Sequence, residues 1–330
     1  MSTAYHPPFT ITPGILHRVA EIGEVLGRLD LSATAVTKPQ LRRQNRIRTI
    51  QASLAIEGNT LSLEQATAIL NGKRVLGSPR EIQEVRNAIL AYERAEQWTP
   101  TSMTDLLEAH KVMMTGLMDR PGAFRSGNVG IQRGQEIIHI APPASRVRAL
   151  VANLLRWLER TKDHPLIAGC VFHYEFEFIH PFADGNGRMG RLWQTVVLGR
   201  WKPELASFPL ESVIHHRQAD YYAALLQADH LGQATPFIEF MLGALLEACR
   251  EVAAGDQVSD QVSDQVKALL RVLGTGERSA AELMRALKLA HRPTFRKNYL
   301  HPALAAGWIE MSNPASPRSP VQRYHRTKRG

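Results

Sequence analysis

Helix punctuation runs almost from end to end of this chain, and it limits the accessible folds more than any other feature. Pro39 opens a periodic stretch to about Glu57. Ile47, Ile50 and Leu54 form one stripe there, Arg42, Arg43, Arg46 and Arg48 fall largely elsewhere, and Gly58 stands where a C′ stop belongs. Ser62 with Gln65, and Ser78 with Glu81 behind Pro79, have the spacing of capping boxes. Further helices are predicted over about 102–118, 145–161, 163–179 and 188–201, then on to about Ala254. Up to Ala254 the rhythm breaks at residues 120–144. Gly122, Gly127, Gly130 and Gly134 alternate there with β-prone pieces before Pro142-Pro143, which predicts a loop carrying a β-hairpin. The fold class is therefore mainly α with this hairpin, and a second hairpin is expected around Asn313 to Pro320.

A chain of 330 residues exceeds one ordinary core, and 44% hydrophobic with 22% charged residues is a globular balance. The boundaries fall at a helical N-terminal domain over 1–100, a core over 101–255, a connector over 256–266 and a last domain over 267–330. The connector is the literal repeat DQVSDQVSDQV, which packs little. From Lys267 onward 13 Lys and Arg face three acids, so this end carries +10 and the other 266 residues about −1. Those 266 residues therefore lack a nucleic-acid footprint. No apolar run reaches the ~18–20 residues of a membrane span, and Pro7, Pro8 and Thr10 interrupt any signal-like start. Cys170 and Cys249 both sit in apolar helical patterns, as buried free thiols of a reducing compartment would. The expectation is a soluble cytoplasmic protein with no membrane partner.

One segment carries chemistry: His180-Pro181-Phe182-Ala183-Asp184-Gly185-Asn186-Gly187-Arg188-Met189-Gly190-Arg191. Pro181 removes His180 from helical backbone, placing the imidazole at the mouth of a loop. Gly185-Asn186-Gly187 can take positive φ and turn successive N–H groups into one concavity, beside the positive end of the helix starting near Arg188. Arg188 and Arg191, three apart, share one face of that helix. Asp184 is the loop's one carboxylate, suited to a hard cation that bridges phosphates. A nest, two arginines, an acid and a histidine are what group transfer from a polyphosphate requires.

This segment resembles the signature of the Fic (filamentation-induced-by-cAMP) family, HPFx(D/E)GNGRxxR, at all nine specified letters. The resemblance implies a protein adenylyltransferase that moves AMP from ATP to a Tyr, Thr or Ser hydroxyl of a target protein or of itself. It implies His180 as general base, Asp184 as Mg²⁺ ligand, Gly185, Asn186, Gly187 and Arg188 on the α- and β-phosphates, and Arg191 on the γ-phosphate. Relatives that transfer other groups tend to depart from the glycine–asparagine–glycine pattern, which is intact here. Gly122-Ala123-Phe124-Arg125 through Pro143 looks like the region of the family's flap, a hairpin that docks a target by strand addition. Ile131, Gly134 and Ile138 are the flap candidates, although an ordinary surface hairpin has the same pattern. Residues 217–222 resemble the adenine-side helix, with Tyr222 as a base contact or a core residue, and Asp229 stands where many relatives carry asparagine.

Ser53-Leu54-Ala55-Ile56-Glu57-Gly58 matches the family's inhibitory pattern (S/T)xxxE(G/N), placed as in the class with an N-terminal inhibitory helix. Ser53, Glu57 and Gly58 are its specified positions here. A carboxylate of Glu57 paired bidentately with Arg191 would occupy the guanidinium that the γ-phosphate needs. The same glutamate serves AMP removal in some relatives, and that alternative stays open, as does a homodimer. His173-Tyr174-Glu175-Phe176-Glu177 lacks the i+4 histidine of a zinc helix and is expected to be structural. Residues 267–330 resemble a winged helix-turn-helix. Arg292, Arg296 and Lys297 lie on its second helix, and Arg318, Arg323, Arg326, Lys328 and Arg329 on its wing. DNA binding, with the core as a self-modifying switch, and protein docking both fit such a module.

Overall fold

The computed structural model describes residues 5–31, 39–133, 136–254, 264–274, 276–289, 291–305, 307–313, 319 and 322–327. It divides into two compact units, Met1–Ala253 and Ala254–Gly330. In the first unit the helices are α1 (Pro13–Leu31), α2 (Pro39–Ile56), α3 (Leu63–Leu70), α4 (Pro79–Arg94) and α5 (Met103–Met114). A hairpin follows, of β1 (Gly130–Arg133) and β2 (Glu136–Ile140), then α6 (Ala144–Arg160), α7 (Pro165–Ile179), α8 (Asn186–Trp201), α9 (Leu210–His216), α10 (Gln218–Leu231) and α11 (Thr235–Ala254). One hydrophobic core runs from Ile15 on α1 to Val252 on α11, so a boundary at 100/101 separates no cores.

The two central helices bury nearly every face. On α7 all but two residues from Leu166 to Ile179 are buried, and α8 carries the fully buried Trp193, whose indole N–H donates to the Pro100 carbonyl at 2.9 Å. Helices buried on nearly every face belong at the centre of a helical stack. Around them α2 presents Ile47, Ile50, Leu54 and Ile56 to the core, and Arg48 pairs with Glu251 of α11 at 2.7 Å.

Local signals set the helix starts. The Ser62–Gln65 capping box forms with both bonds. At Ser78 the side chain accepts from the Glu81 N–H, while the Glu81 carboxylate accepts from the backbone N–H and hydroxyl of Thr60, both at 2.7 Å. Both cysteines are buried free thiols, and burial pushes the Cys249 thiol up to about 12. Among the described residues no helix is long and apolar enough to cross a membrane.

The second unit holds α12 (Asp264–Leu273), β3 (Arg278–Ser279) and α13 (Ala280–Ala286). A helical run α14 follows, made of Arg292–Phe295, a wide turn Arg296–Leu300 and His301–Ala305, and then β4 (Ile309–Met311) and β5 (Arg323–Arg326). Its core gathers Val266, Leu269, Leu273, Leu283, Phe295, Leu300, Ala303, Ile309 and Tyr324. Residues 256–263 of the connector lie outside the described residues.

Candidate active site

The loop between α7 and α8 begins with a strained residue. His180 caps α7 at φ 49, ψ 62, a left-handed conformation rather than the extended one that a following proline favours. Arg125, 6% exposed, holds it there. Its Nε donates to the His180 carbonyl at 2.7 Å, its Nη2 to the carbonyls of Ile179 and Pro142, and its Nη1 to Gly127 at 2.9 Å. The Arg125 backbone N–H adds a bond to the Pro181 carbonyl at 3.0 Å. A planar fork with five donors suits this cluster of carbonyls as a lysine would not.

The next turn is locked from inside. Phe182 is fully buried, and the His110 ring lies flat on it, centroids 3.6 Å apart and 3° from parallel. His110 Nδ1 accepts from the Gly122 N–H at 2.9 Å, so its Nε2 carries the proton and donates to the Asp184 carbonyl at 3.1 Å. Burial lowers this histidine to about 4 and keeps the imidazole neutral. Asn186 closes the turn: its amide accepts from the Phe182 N–H and donates to the Phe182 carbonyl, both at 2.9 Å. Its side chain is thereby engaged with the loop, which differs from the phosphate contact expected of it. Helix α8 starts at Asn186, two residues earlier than the sequence implies. Only Gly185 therefore has positive φ, at 84°, while Gly187 belongs to the first helical turn. A Cβ on Gly185 would also stand 2.7 Å from Met114 Sδ.

Two arginines flank the mouth. Arg188, 4% exposed, donates to Asp184 Oδ1 at 3.0 Å and lies 3.5 Å from Glu84. Arg80 approaches the same two acids, Asp184 at 3.4 Å and Glu84 at 3.5 Å. The Nε of Arg188 is buried without an acceptor, an orphan donor on the anion-facing helix end. Asp184 Oδ1 also takes the Gly185 N–H at 2.6 Å, and its side chain is 44% exposed.

One turn on, Arg191 is 2% exposed. It donates from Nη2 to Glu57 Oε1 at 2.7 Å and to the Ser53 carbonyl at 2.9 Å, and from Nε to Ser53 Oγ at 3.0 Å. The pairing is not the bidentate carboxylate fork foreseen, because Ser53 supplies two of the three acceptors. Burial opposes charge on Arg191, and Glu57 together with Tyr221 and Glu177 more than offsets it, so the guanidinium is held firmly cationic. The Glu57 carboxylate lies over the first turn of α8; a Cβ on Gly187 would sit 2.4 Å from its Oε1. Behind the pair, buried Glu211 accepts from Tyr92 at 3.0 Å and Thr195 at 3.3 Å.

Tyr222 stands at the end of α2, its hydroxyl 3.5 Å from the Ile56 carbonyl, beside Gln218, which donates to the same oxygen at 3.0 Å. Asp229 accepts from Tyr174 at 2.9 Å. His173 sits in the core with Nδ1 on Gln194 at 2.6 Å and Nε2 near Tyr221 at 3.2 Å. In the hairpin Ile131 pairs with His139 and Gln132 with Ile137, so Ile138 is the extra residue of a bulge; Gly134 lies outside the described residues. Sequence reasoning missed Arg80, Glu84 and His110, and named Arg125 only as part of the flap region.

The loop between α7 and α8 thus sets His180, the N-terminus of α8 and two buried arginines, Arg188 and Arg191, within one short stretch of the helical scaffold. Residues 100–198 match the Fic/DOC family, and residues 264–327 match the family described as filamentation induced by cAMP protein Fic-like, C-terminal domain. The crystal structure of a Fic family protein from Desulfovibrio desulfuricans G20 is 61% identical, covering 99% of both chains, with a TM-score of 0.75. A Fic domain containing signaling protein from Bacteroides thetaiotaomicron VPI-5482 shares the fold at 20% identity and a TM-score of 0.59, over 73% of this chain and 97% of that one. Protein adenylyltransferase Fic of Drosophila erecta is 30% identical over 227 residues, 64% of this chain and 43% of its own length. The chain thus spans less than half the length of such curated relatives. It belongs to the Fic family.

Proposed function

We propose that this protein is an adenylyltransferase that moves AMP from ATP to a Tyr, Thr or Ser hydroxyl of a target protein or of itself, restrained by Glu57. One observation carries the reading. The site already holds an oxyanion, the Glu57 carboxylate, on Arg191 and against the first turn of α8. A phosphate oxygen of ATP asks for the same donors.

In this reading the target hydroxyl attacks the α-phosphorus. The new O–P bond forms as the bond to the β-phosphate breaks, pyrophosphate leaves, and the hydroxyl proton passes to His180. His180 suits the task because Arg125 fixes its backbone, so the ring needs little reorganisation before attack. The amides of Gly185 and Gly187, the Asn186 backbone N–H and Arg188 hold the α- and β-phosphates. Arg188's orphan Nε is a ready donor. Arg191 takes the γ-phosphate once Glu57 withdraws. Tyr222 borders the base end, and the β1–β2 hairpin, with Ile131, Gly134 and Ile138, offers strand addition to the target.

A magnesium ion fits one place. Asp184 is the half-exposed carboxylate of the loop, and hard oxygen ligands suit that cation. No group of three or more acids, histidines or cysteines stands together among the described residues, so phosphates and water would complete the shell. When bound, the ion supplies charge neutralisation on the leaving pyrophosphate. Arg80 and Arg188 already brace Asp184 from two sides.

Purified protein incubated with ATP labelled at the α-phosphate or at the γ-phosphate tests the reading. Label from the α position on protein, absent with γ-labelled ATP and absent in His180→Asn, is the expected result. Incorporation of γ-label, or α-labelling indifferent to residue 180, would overturn it.

A further inference from the structure

The second unit has a topology that serves its helices. β3 precedes α13 and α14, yet it pairs with β5, giving the sheet order β3-β5-β4, antiparallel at both junctions. The sheet thus ties the strand entering the helix pair to the strands that leave it. Leu283 from α13 and Phe295, Leu300 and Ala303 from α14 are buried beneath, so the opposite side of both helices is exposed. Between the helices Lys288 adopts φ 55, and the Leu289 N–H returns to the Met284 carbonyl at 2.9 Å. His291 caps the next helix through Nδ1, which accepts from the Thr294 N–H. This makes a tight helix–turn–helix.

Basic residues are exposed on both helices and on the turn between them. Arg285, Lys288, Arg292 and Arg296 are all exposed, and none has a carboxylate within ion-pair distance among the described residues. The three acids after Lys267 are engaged elsewhere: Glu282 in the Ser279 capping box, Glu277 at 3.6 Å and Glu310 at 3.9 Å from His325. Two of the wing arginines are engaged as well, Arg323 with the Glu277 carbonyl at 3.2 Å and Arg326 with the Leu270 carbonyl. Arg318, Lys328 and Arg329 lie outside the described residues, and the side chain of Lys297 does too. Four like charges around one turn repel one another unless a polyanion lies across them.

The chemistry of the face chooses among polyanions and partners. An exposed helix ~10–12 Å across matches a major groove ~12 Å wide, with phosphates along both rims. Single strands are gripped by exposed aromatic platforms. Here Phe295 and Tyr324 are buried, and Tyr299 is half-buried against Phe295. A protein-docking face would carry an apolar centre, but every large exposed hydrophobic residue among those described belongs to the first unit.

We propose that the face from Arg285 through the first turns of α14 binds double-stranded DNA, with Arg285, Lys288, Arg292 and Arg296 neutralising backbone phosphates. Binding of the full-length protein to a fluorescein-labelled 20-base-pair duplex, read by anisotropy from 50 to 300 mM NaCl, tests it. Each neutralised phosphate adds about 0.9 to the slope of log affinity against log salt. The double variant Arg292→Ala/Arg296→Ala should lose about two units of slope and on the order of tenfold or more in low-salt affinity. Both residues are exposed, so its circular dichroism and thermal midpoint should match wild type. Arg28→Ala, on the first unit, should leave binding unchanged. No binding at 50 mM NaCl, equal or tighter binding to single strands, or an unaltered double variant would each overturn the proposal. The assay needs neither ATP nor His180, so its outcome is independent of the transfer reading.

Discussion

Replacing Glu57 by glycine removes one defined contact from the site. The 2.7 Å bond from Arg191 is charge-assisted, and its guanidinium is 1% exposed while the Glu57 side chain is 33% exposed. Hydrogen bonds between charged groups contribute about 1.5–3 kcal/mol, and partial solvent screening of Glu57 brings this to about 1–2 kcal/mol. Arg191 keeps both bonds to Ser53, so its side chain stays placed while its Glu57-facing N–H becomes available. Helix α2 ends at Ile56, so a glycine at 57 does not interrupt it. If the ion pair is the whole brake, that energy corresponds to a rise of about 5- to 30-fold in labelling rate, since about 1.4 kcal/mol is tenfold. The assay is the initial rate of α-phosphate incorporation at saturating ATP, taken as the difference from the His180→Asn background. Equal rates for wild type and Glu57→Gly would refute the reasoning, because the ion pair would then not limit access of the triphosphate.

Ser53→Ala should also raise the labelling rate, by less than Glu57→Gly, because the Arg191 Nε then loses one neutral acceptor; paired rate measurements check the order. His180→Asn, chosen because asparagine tolerates left-handed backbone, should lower transfer by at least about 100-fold with little change in thermal midpoint. Arg125→Lys should cost about 2–4 kcal/mol and lower the midpoint by several degrees in calorimetry, since one ammonium cannot serve carbonyls spread over Gly127, Pro142, Ile179 and His180. His173 is held near 3 by burial, so the unfolded chain takes up a proton near pH 6.5 that the folded chain refuses until about pH 3. Its contribution is therefore complete above pH 6.5 and lost as pH falls through that window. At pH 4.5 the loss is about 2–3 kcal/mol, to be seen in urea midpoints and reduced in His173→Asn.

What can be read from the sequence is what neighbouring residues decide among themselves. The Ser62–Gln65 box, the stripe of Ile47, Ile50 and Leu54, and the helix predicted over 163–179 each depend on positions within a turn or two. Spacing alone makes Glu81 the partner of Ser78, but a competitor 21 residues away, Thr60, takes its carboxylate. Asn186 reads as a ligand for phosphate because the tie between its amide and Phe182 depends on how the loop closes. Arg125 lies 55 residues from His180, and nothing in a glycine-rich loop announces that its guanidinium will reach four carbonyls. His110 does leave a trace: it is the one titratable residue in the buried stripe of Leu106, Ala109, Met113 and Met114. A lone polar side chain in such a stripe must find a partner or unfold its surroundings.

Helix α2 does two jobs with one set of bonds. Its Ile47, Ile50, Leu54 and Ile56 belong to the body of the first unit, while Glu57, just past its last turn, reaches the first turns of α8. Under the proposed restraint by Glu57, cutting the helix away to release the site would therefore tear out structural timber as well. Single side-chain changes at 53 or 57 leave the wall standing. Under that proposal a trigger faces the same constraint, and needs to act on the final turn before Gly58, whose φ of 89° already bends the chain away, rather than on the helix as a whole.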